Sequence, residues 1–156
     1  MGDTGHAAGA QGRRPITILG ISALYHDAAA AVVRDGEVIA AAQQERFSRV
    51  KHDPSFPLDA IEYCLEASDV APDGLTAVAY YDKPLTTLVR VLKSYVSAGP
   101  RGVRTFGHAL GEWANRKLWT SLEIERGIRS LGWKMPSELY YAEHHMSHAA
   151  AAFYPS

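Results

Sequence analysis

Residues 16–42 read ITILGISALYHDAAAAVVRDGEVIAAA. Residues 16–22 form an apolar run rich in β-branched side chains, the composition of a strand with a buried face. Residues 28–34 and 37–42 are two further apolar runs, with Asp35-Gly36 between them. Asp-Gly in that place predicts a tight hairpin, because a type I′ turn needs positive φ at both central positions. The folded part therefore opens with three short strands in antiparallel succession.

On the N-terminal side stands MGDTGHAAGAQGRR, residues 1–14. It is small, polar and glycine-rich, and cannot bury enough surface to offset the entropy of ordering, so it reads as a flexible tail. On the C-terminal side, residues 43–56 break the apolar pattern and read as a charged loop. Pro57 suits a first helical position, and Leu58, Ile61 and Leu65 follow at helical spacing with Asp59, Glu62 and Glu66 opposite. Cys64 lies inside that helix as a small core residue, a poor setting for a nucleophile. Pro72-Asp73-Gly74 marks a turn before a buried strand over 75–81. Leu85, Leu88, Val89, Leu92 and Val96 predict a second amphipathic helix, ending near Gly99-Pro100. Trp113, Leu118, Trp119, Leu122, Ile124 and Ile128 suggest one or two helices within 101–134, with Arg116, Lys117, Arg126 and Arg129 as their solvated face. A strand over 138–143 and an alanine-rich helix from His144 to Tyr154 close the chain before Pro155. Strands followed by alternating strands and helices predict an α/β layered domain. The order resembles the N-terminal half of an actin-like, ribonuclease-H-like domain, a likeness of fold that carries no chemistry.

A chain of 156 residues with 47% hydrophobic content suits one domain with its own core. Lys and Arg total 16 against 17 Asp and Glu, and this near-neutral balance argues against nucleic acid as the main partner. One cysteine excludes an intramolecular disulfide and is compatible with a reducing compartment. No apolar run approaches the ~20 residues that cross a bilayer, and Met1–Arg14 lacks the apolar stretch of a secretory signal. The expectation is a cytoplasmic protein with no membrane partner.

Three features bear on chemistry. His144-His145-Met146-Ser147-His148 follows a predicted strand, and its first and last histidines stand four apart. On a helix that spacing puts both imidazoles on one face, close enough to share a metal ion. Zinc-protease helices have glutamate after the first histidine; His145 stands there, which disfavours that chemistry. A metal site also needs a third ligand. An isolated pair of this kind is more often a polar helix cap, but three histidines in five residues at a strand–helix junction favour a ligand site. Tyr25-His26-Asp27 lies between the first two strands: His26 suits a general base, and Asp27 suits either an orienting carboxylate or a metal ligand. Direct neighbours in a turn need not face the same way, so no dyad is assumed, and both residues are also common in plain turns. The loop with Glu45, Arg46, Arg49, Lys51, His52 and Asp53 carries cations suited to phosphate or carboxylate, although a mixed-sign run is usually a solvated surface. There is no P-loop, no dinucleotide-binding glycine motif and no Gly-x-Ser-x-Gly elbow.

At these segments the chain resembles the nodulation and antibiotic O-carbamoyltransferases. The resemblance lies in Ile18–Ser22, Tyr25–Ala31, Gln44–Arg49 with Lys51–Asp53 and Phe56-Pro57, and in Glu143–Ala150 running into Ala152–Ser156; residues 82–135 add little. It implies an actin-like amino-terminal domain similar to tRNA threonylcarbamoyl-transfer enzymes, and a carboxy-terminal YrdC-type domain that makes carbamoyl-adenylate from carbamoyl phosphate and ATP. The first domain then passes the carbamoyl group to a hydroxyl of a small molecule such as a sugar or antibiotic. It further implies a divalent metal, iron in at least some members, against the nucleotide phosphate. The ligands carried over are His144 and His148, with a third, an aspartate, much further along the family's chains. His26 is carried over as the acid/base at the transfer site.

The family's chains are several times longer, and this sequence lacks their nucleotide-binding half and adenylate-forming domain. The expectation is that the 156 residues alone do not turn over, and that an oligomer or partner covers the missing half. Two other readings compete. One is a relative acting in tRNA threonylcarbamoylation, which tight tRNA binding would favour. The other is a non-catalytic half-domain binding a metal or a partner chain through an exposed apolar face.

Overall fold

The computed structural model describes residues 14–24, 27–83, 93 and 119–154. Five strands, β1 (Thr17–Ser22), β2 (Ala29–Arg34), β3 (Glu37–Gln43), β4 (Ala77–Tyr80) and β5 (Glu138–Tyr141), form one sheet in the order β3-β2-β1-β4-β5. Among the described residues lie the helices α1 (Glu45–Ser48), α2 (Leu58–Ala67), α3 (Thr120–Ser130) and α4 (His144–Phe153). The α/β class and the antiparallel opening are as the sequence predicts. Asp35 and Gly36 take φ of 50° and 91°, the left-handed pair that the β2–β3 turn requires.

β1 pairs antiparallel with β2 on one side and parallel with β4 on the other. β2 and β3 are antiparallel, while β4 and β5 are parallel. The ends of β1, β3, β4 and β5 and the start of β2 therefore lie along one edge. Ser22 pairs with Ala29 and Ala29 with Gln43, while Tyr80 pairs with Ile21 and Tyr141 with Tyr80. In an α/β sheet this carboxyl edge is where ligands gather.

Alternation divides the two faces of the sheet. On β1, Thr17, Leu19 and Ile21 are buried while Ile18, Gly20 and Ser22 are partly exposed. The buried face packs under α2 and α3, with Leu19, Val32, Ile61, Leu65, Ile124 and Ile128 fully enclosed. Each such Leu or Ile contributes roughly 1.5–3 kcal/mol by leaving water. The Cys64 thiol belongs to this core, donating to the Ala30 carbonyl at 3.4 Å.

Local chemistry sets the helix ends. Pro57 sits one residue before α2 and its carbonyl accepts the Ile61 N–H at 2.9 Å, so the proline precedes the first helical position instead of filling it. After α3, Gly132 takes φ of 86°, and Trp133 returns its N–H to the Ile128 carbonyl. Trp133 Nε1 then donates to the Val70 carbonyl at 3.2 Å, joining the exits of α3 and α2.

Some expectations shift. The 43–56 segment is not all loop, because Glu45–Ser48 form the short helix α1. The strands expected over 75–81 and 138–143 are shorter, although Tyr81 N–H and Ala142 N–H extend their ladders to Ile21 and Tyr80 carbonyls. Trp119 caps α3 and is exposed instead of joining its apolar face. Residues 1–13 of the expected tail lie outside the described residues, as do Tyr25, His26, the helix of Leu85–Val96 apart from Lys93, Trp113, Arg116, Lys117, Leu118 and Pro155. No helix among the described residues is long and apolar enough to cross a membrane.

Candidate functional site

The histidine motif opens α4 directly after β5, at the carboxyl edge. Alanines at 149–152 carry the helix onward as strong helix formers. His144 Nε2 and His148 Nε2 lie 3.1 Å apart, and the ring centroids are separated by 4.6 Å. The contact is a hydrogen bond when one ring carries the Nε2 proton. Two nitrogens that each bind one ion at about 2.0–2.1 Å also stand roughly 3 Å apart, so the pair fits two adjacent ligand positions. No group of three or more His, Cys, Asp and Glu among the described residues gathers into a metal cluster, so a third ligand is not found there.

The motif is pinned from below. Ser147 donates Oγ–H to the Tyr81 carbonyl at 3.0 Å, just past β4. The Tyr81 ring meets the His144 ring edge-on, with centroids 5.6 Å apart. Lys83 Nζ reaches Glu143 Oε1 at 3.4 Å, an exposed pair beside the helix start. Tyr80, the residue before Tyr81, is buried and donates its hydroxyl to the Ala23 carbonyl at 2.7 Å. Burial first, then Tyr81 and Asp82, push its phenol far above the usual tyrosine range. Two successive residues at the end of β4 thus hold the exit of β1 and the start of α4. The sequence reading missed Ser147, Tyr80 and Tyr81. Their signal was faint, since a serine inside a histidine run and a tyrosine pair ending an apolar strand suit many structures.

Asp27 takes φ of 53°, and its Oδ1 meets His52 Nδ1 at 2.7 Å. The Asp27 carboxylate thus faces His52, a residue of the charged loop to which the sequence assigned no role. His26 itself lies outside the described residues. Arg46, Arg49 and Lys51 are all exposed. Arg49 closes α1 in the left-handed conformation, φ 59°, with its N–H on the Glu45 carbonyl. Asp53 is buried and accepts the Ser55 N–H; bonds to Ser48 and Ser55 hold its carboxyl below the usual range.

Between α1 and α4, a cleft of about 930 Å³ opens over the partly exposed face of the sheet. Gly20, Ala29, Ala31, Ala41 and Ala79 lie along its floor, while Ser147 and Ala150 approach from one side and Arg46 and Phe47 from the other. Of the three cations proposed from sequence, Arg46 lines this cleft, and Arg49 and Lys51 do not. Such a volume suits a small molecule, and a floor of methyls and hydrogens lets one approach the main chain closely.

Residues 17–156 match the family described as Carbamoyltransferase N-terminus. The chain is similar to the uncharacterized protein sll1178 of Synechocystis sp., 45% identical over 142 residues, which covers 89% of this chain and 23% of that protein. It is also similar to the nodulation protein NolNO of Sinorhizobium fredii, 33% identical over 131 residues, covering 82% of this chain and 17% of that protein. The chain therefore spans less than a quarter of the length of either relative. With the match running from the first strand to the last residue, across both the Asp27 turn and the histidine helix, the chain belongs to the carbamoyltransferase family, of which it carries the amino-terminal part.

Proposed function

We propose that this chain forms the transfer side of an O-carbamoyltransferase, which moves a carbamoyl group from carbamoyl-adenylate to a hydroxyl of a small molecule such as a sugar or antibiotic. The acceptor oxygen bonds to the carbamoyl carbon, the bond from that carbon to the adenylate phosphate oxygen breaks, and AMP leaves. His26 accepts the hydroxyl proton as the attack proceeds, and Asp27 orients the turn that carries it. Arg46 lines the cleft and holds anionic substrate groups, with Arg49 and Lys51 on the neighbouring loop adding positive charge. His144 and His148 would hold a divalent metal, Fe2+ on the family resemblance; when bound it supplies positive charge that offsets the adenylate phosphate. Carbamoyl phosphate and ATP furnish the adenylate elsewhere in the complete protein.

The observation that carries this reading is the link through the end of β4. Tyr80 holds the exit of β1 at Ala23, while Tyr81 holds the histidine helix through Ser147 and His144. Ala23, at the exit of β1, and the start of the histidine helix are thereby held by two neighbouring residues at one sheet edge, which supports placing the two proposed groups on the same side of the domain. The test is His26→Ala in the full-length protein carrying this chain. Carbamoyl transfer should fall at least ~100-fold while adenylate formation continues. Unchanged transfer would remove His26 from the mechanism, and a wild-type protein that carbamoylates no hydroxyl acceptor would overturn the reading as a whole.

A further inference from the structure

A polar cluster stands apart from the histidine pair and joins the two loops at the β2–β3 side of the carboxyl edge. Two consecutive contacts cross between them. His52 Nδ1 meets Asp27 Oδ1 at 2.7 Å, and one residue on, the Ala28 N–H donates to the Asp53 carbonyl at 3.1 Å. A third contact ties His52 to α1, since its backbone N–H donates to Glu45 Oε2 at 3.2 Å. Both members of the side-chain pair are left-handed, with φ of 53° at Asp27 and 56° at His52. Residues other than glycine hold that conformation where surrounding contacts over-determine it, and Asp and His tolerate it better than most. The conformations aim the two side chains at each other across 25 residues of sequence.

The geometry points to His52 as a positioning residue for carbamoyl transfer: it donates Nδ1–H to Asp27 and so fixes the residue that follows His26 in the chain. This rests on the functional reading above. The side chains are 61% and 42% exposed, so the pair adds little to global stability. Its effect is local, setting where the Asp27 turn stands relative to α1 and the 49–53 loop. Donation to the carboxylate requires the proton on Nδ1.

The test compares His52→Gly with His52→Asn in the full-length protein. Both replacements accept a positive φ, and only Asn keeps an N–H donor near the place of Nδ1. Hydrogen exchange should quicken at the Ala28 amide in the Gly variant and stay near wild type in the Asn variant. Transfer kcat should fall about tenfold in the Gly variant, with KM for the acceptor and adenylate formation changed by less than about twofold. The Asn variant should recover most of that loss. Normal exchange and transfer in the Gly variant, or an Asn variant no better than Gly, would overturn the assignment. If wild type transfers no carbamoyl group while the Gly variant still loosens Ala28, the functional reading has failed and the positioning role falls with it. Active wild type with an unaffected Gly variant overturns the positioning role alone.

Discussion

One turn of α4 separates His144 from His148, and their Nε2 atoms stand 3.1 Å apart. Neither side chain is buried, so their removal leaves no cavity, and alanine is the better helix former. Changing both to Ala should abolish metal retention by the full-length protein, while its circular dichroism stays at the wild-type value and its melting temperature matches that of metal-stripped wild type or rises slightly. Metal content per chain after dialysis is the measurement. Equal metal in the double variant would sink the ligand assignment.

Gly127 lies in α3 against the Phe56 ring, where an added Cβ would overlap the ring carbons. Glycine to alanine in a helix interior normally stabilises by up to ~1 kcal/mol. Here the clash should win, and Gly127→Ala should destabilise by about 1–3 kcal/mol. Urea unfolding checks the sign, and Gly127→Ala combined with Phe56→Leu should recover part of the loss.

The buried Tyr80 hydroxyl serves the Ala23 carbonyl. Tyr80→Phe removes the donor and leaves the carbonyl without it, which should cost about 1–3 kcal/mol at neutral pH. Hydrogen exchange should rise at residues 22–24 more than in α2, since the bond ends there and not in the helical core.

The same phenol sets an alkaline limit. Its folded-state pKa is raised, by burial first, so the folded protein keeps a proton that the unfolded chain releases near pH 10. Its contribution to stability is full below about pH 10 and is lost progressively above it. Stability should therefore decline from about pH 10 upward, and Tyr80→Phe should flatten that decline. Denaturant midpoints between neutral pH and pH 11 or so would show it.

Cys64 is fully buried and desolvation raises its thiol pKa. A thiol reagent should therefore label the native protein slowly and the urea-unfolded protein at once. Rapid labelling of the native protein would contradict the packing of α2 on β2.

The sequence disclosed most where the determinants are local. Asp35-Gly36 and the apolar runs around it disclosed β1–β3, and Leu58, Ile61 and Leu65 disclosed α2. The four-residue spacing of His144 and His148 likewise anticipated their meeting. What stayed hidden depends on pairing between distant segments. The parallel seat of β4 beside β1, and hence the link from Tyr80 to Ala23, requires the whole sheet order. Asp27 and His52 meet only because the start of β2 and the end of β3 fall at the same edge, a product of hairpin register that neither residue announces. Neighbours in a turn need not face the same way, and nothing in the local sequence marks His52, 25 residues on, as the group that meets the Asp27 carboxylate.

The floor of the cleft has a consequence for how this surface can diverge. Gly20, Ala29, Ala31, Ala41 and Ala79 stand at or near the lower limit of side-chain size. Apart from the loss of a single methyl, every replacement there adds bulk. Random variation can therefore narrow this space in many ways and widen it in almost none. Among homologues that accept larger molecules, the extra room must come from the flanking walls, where Arg46, Phe47 and Tyr63 can still be shortened.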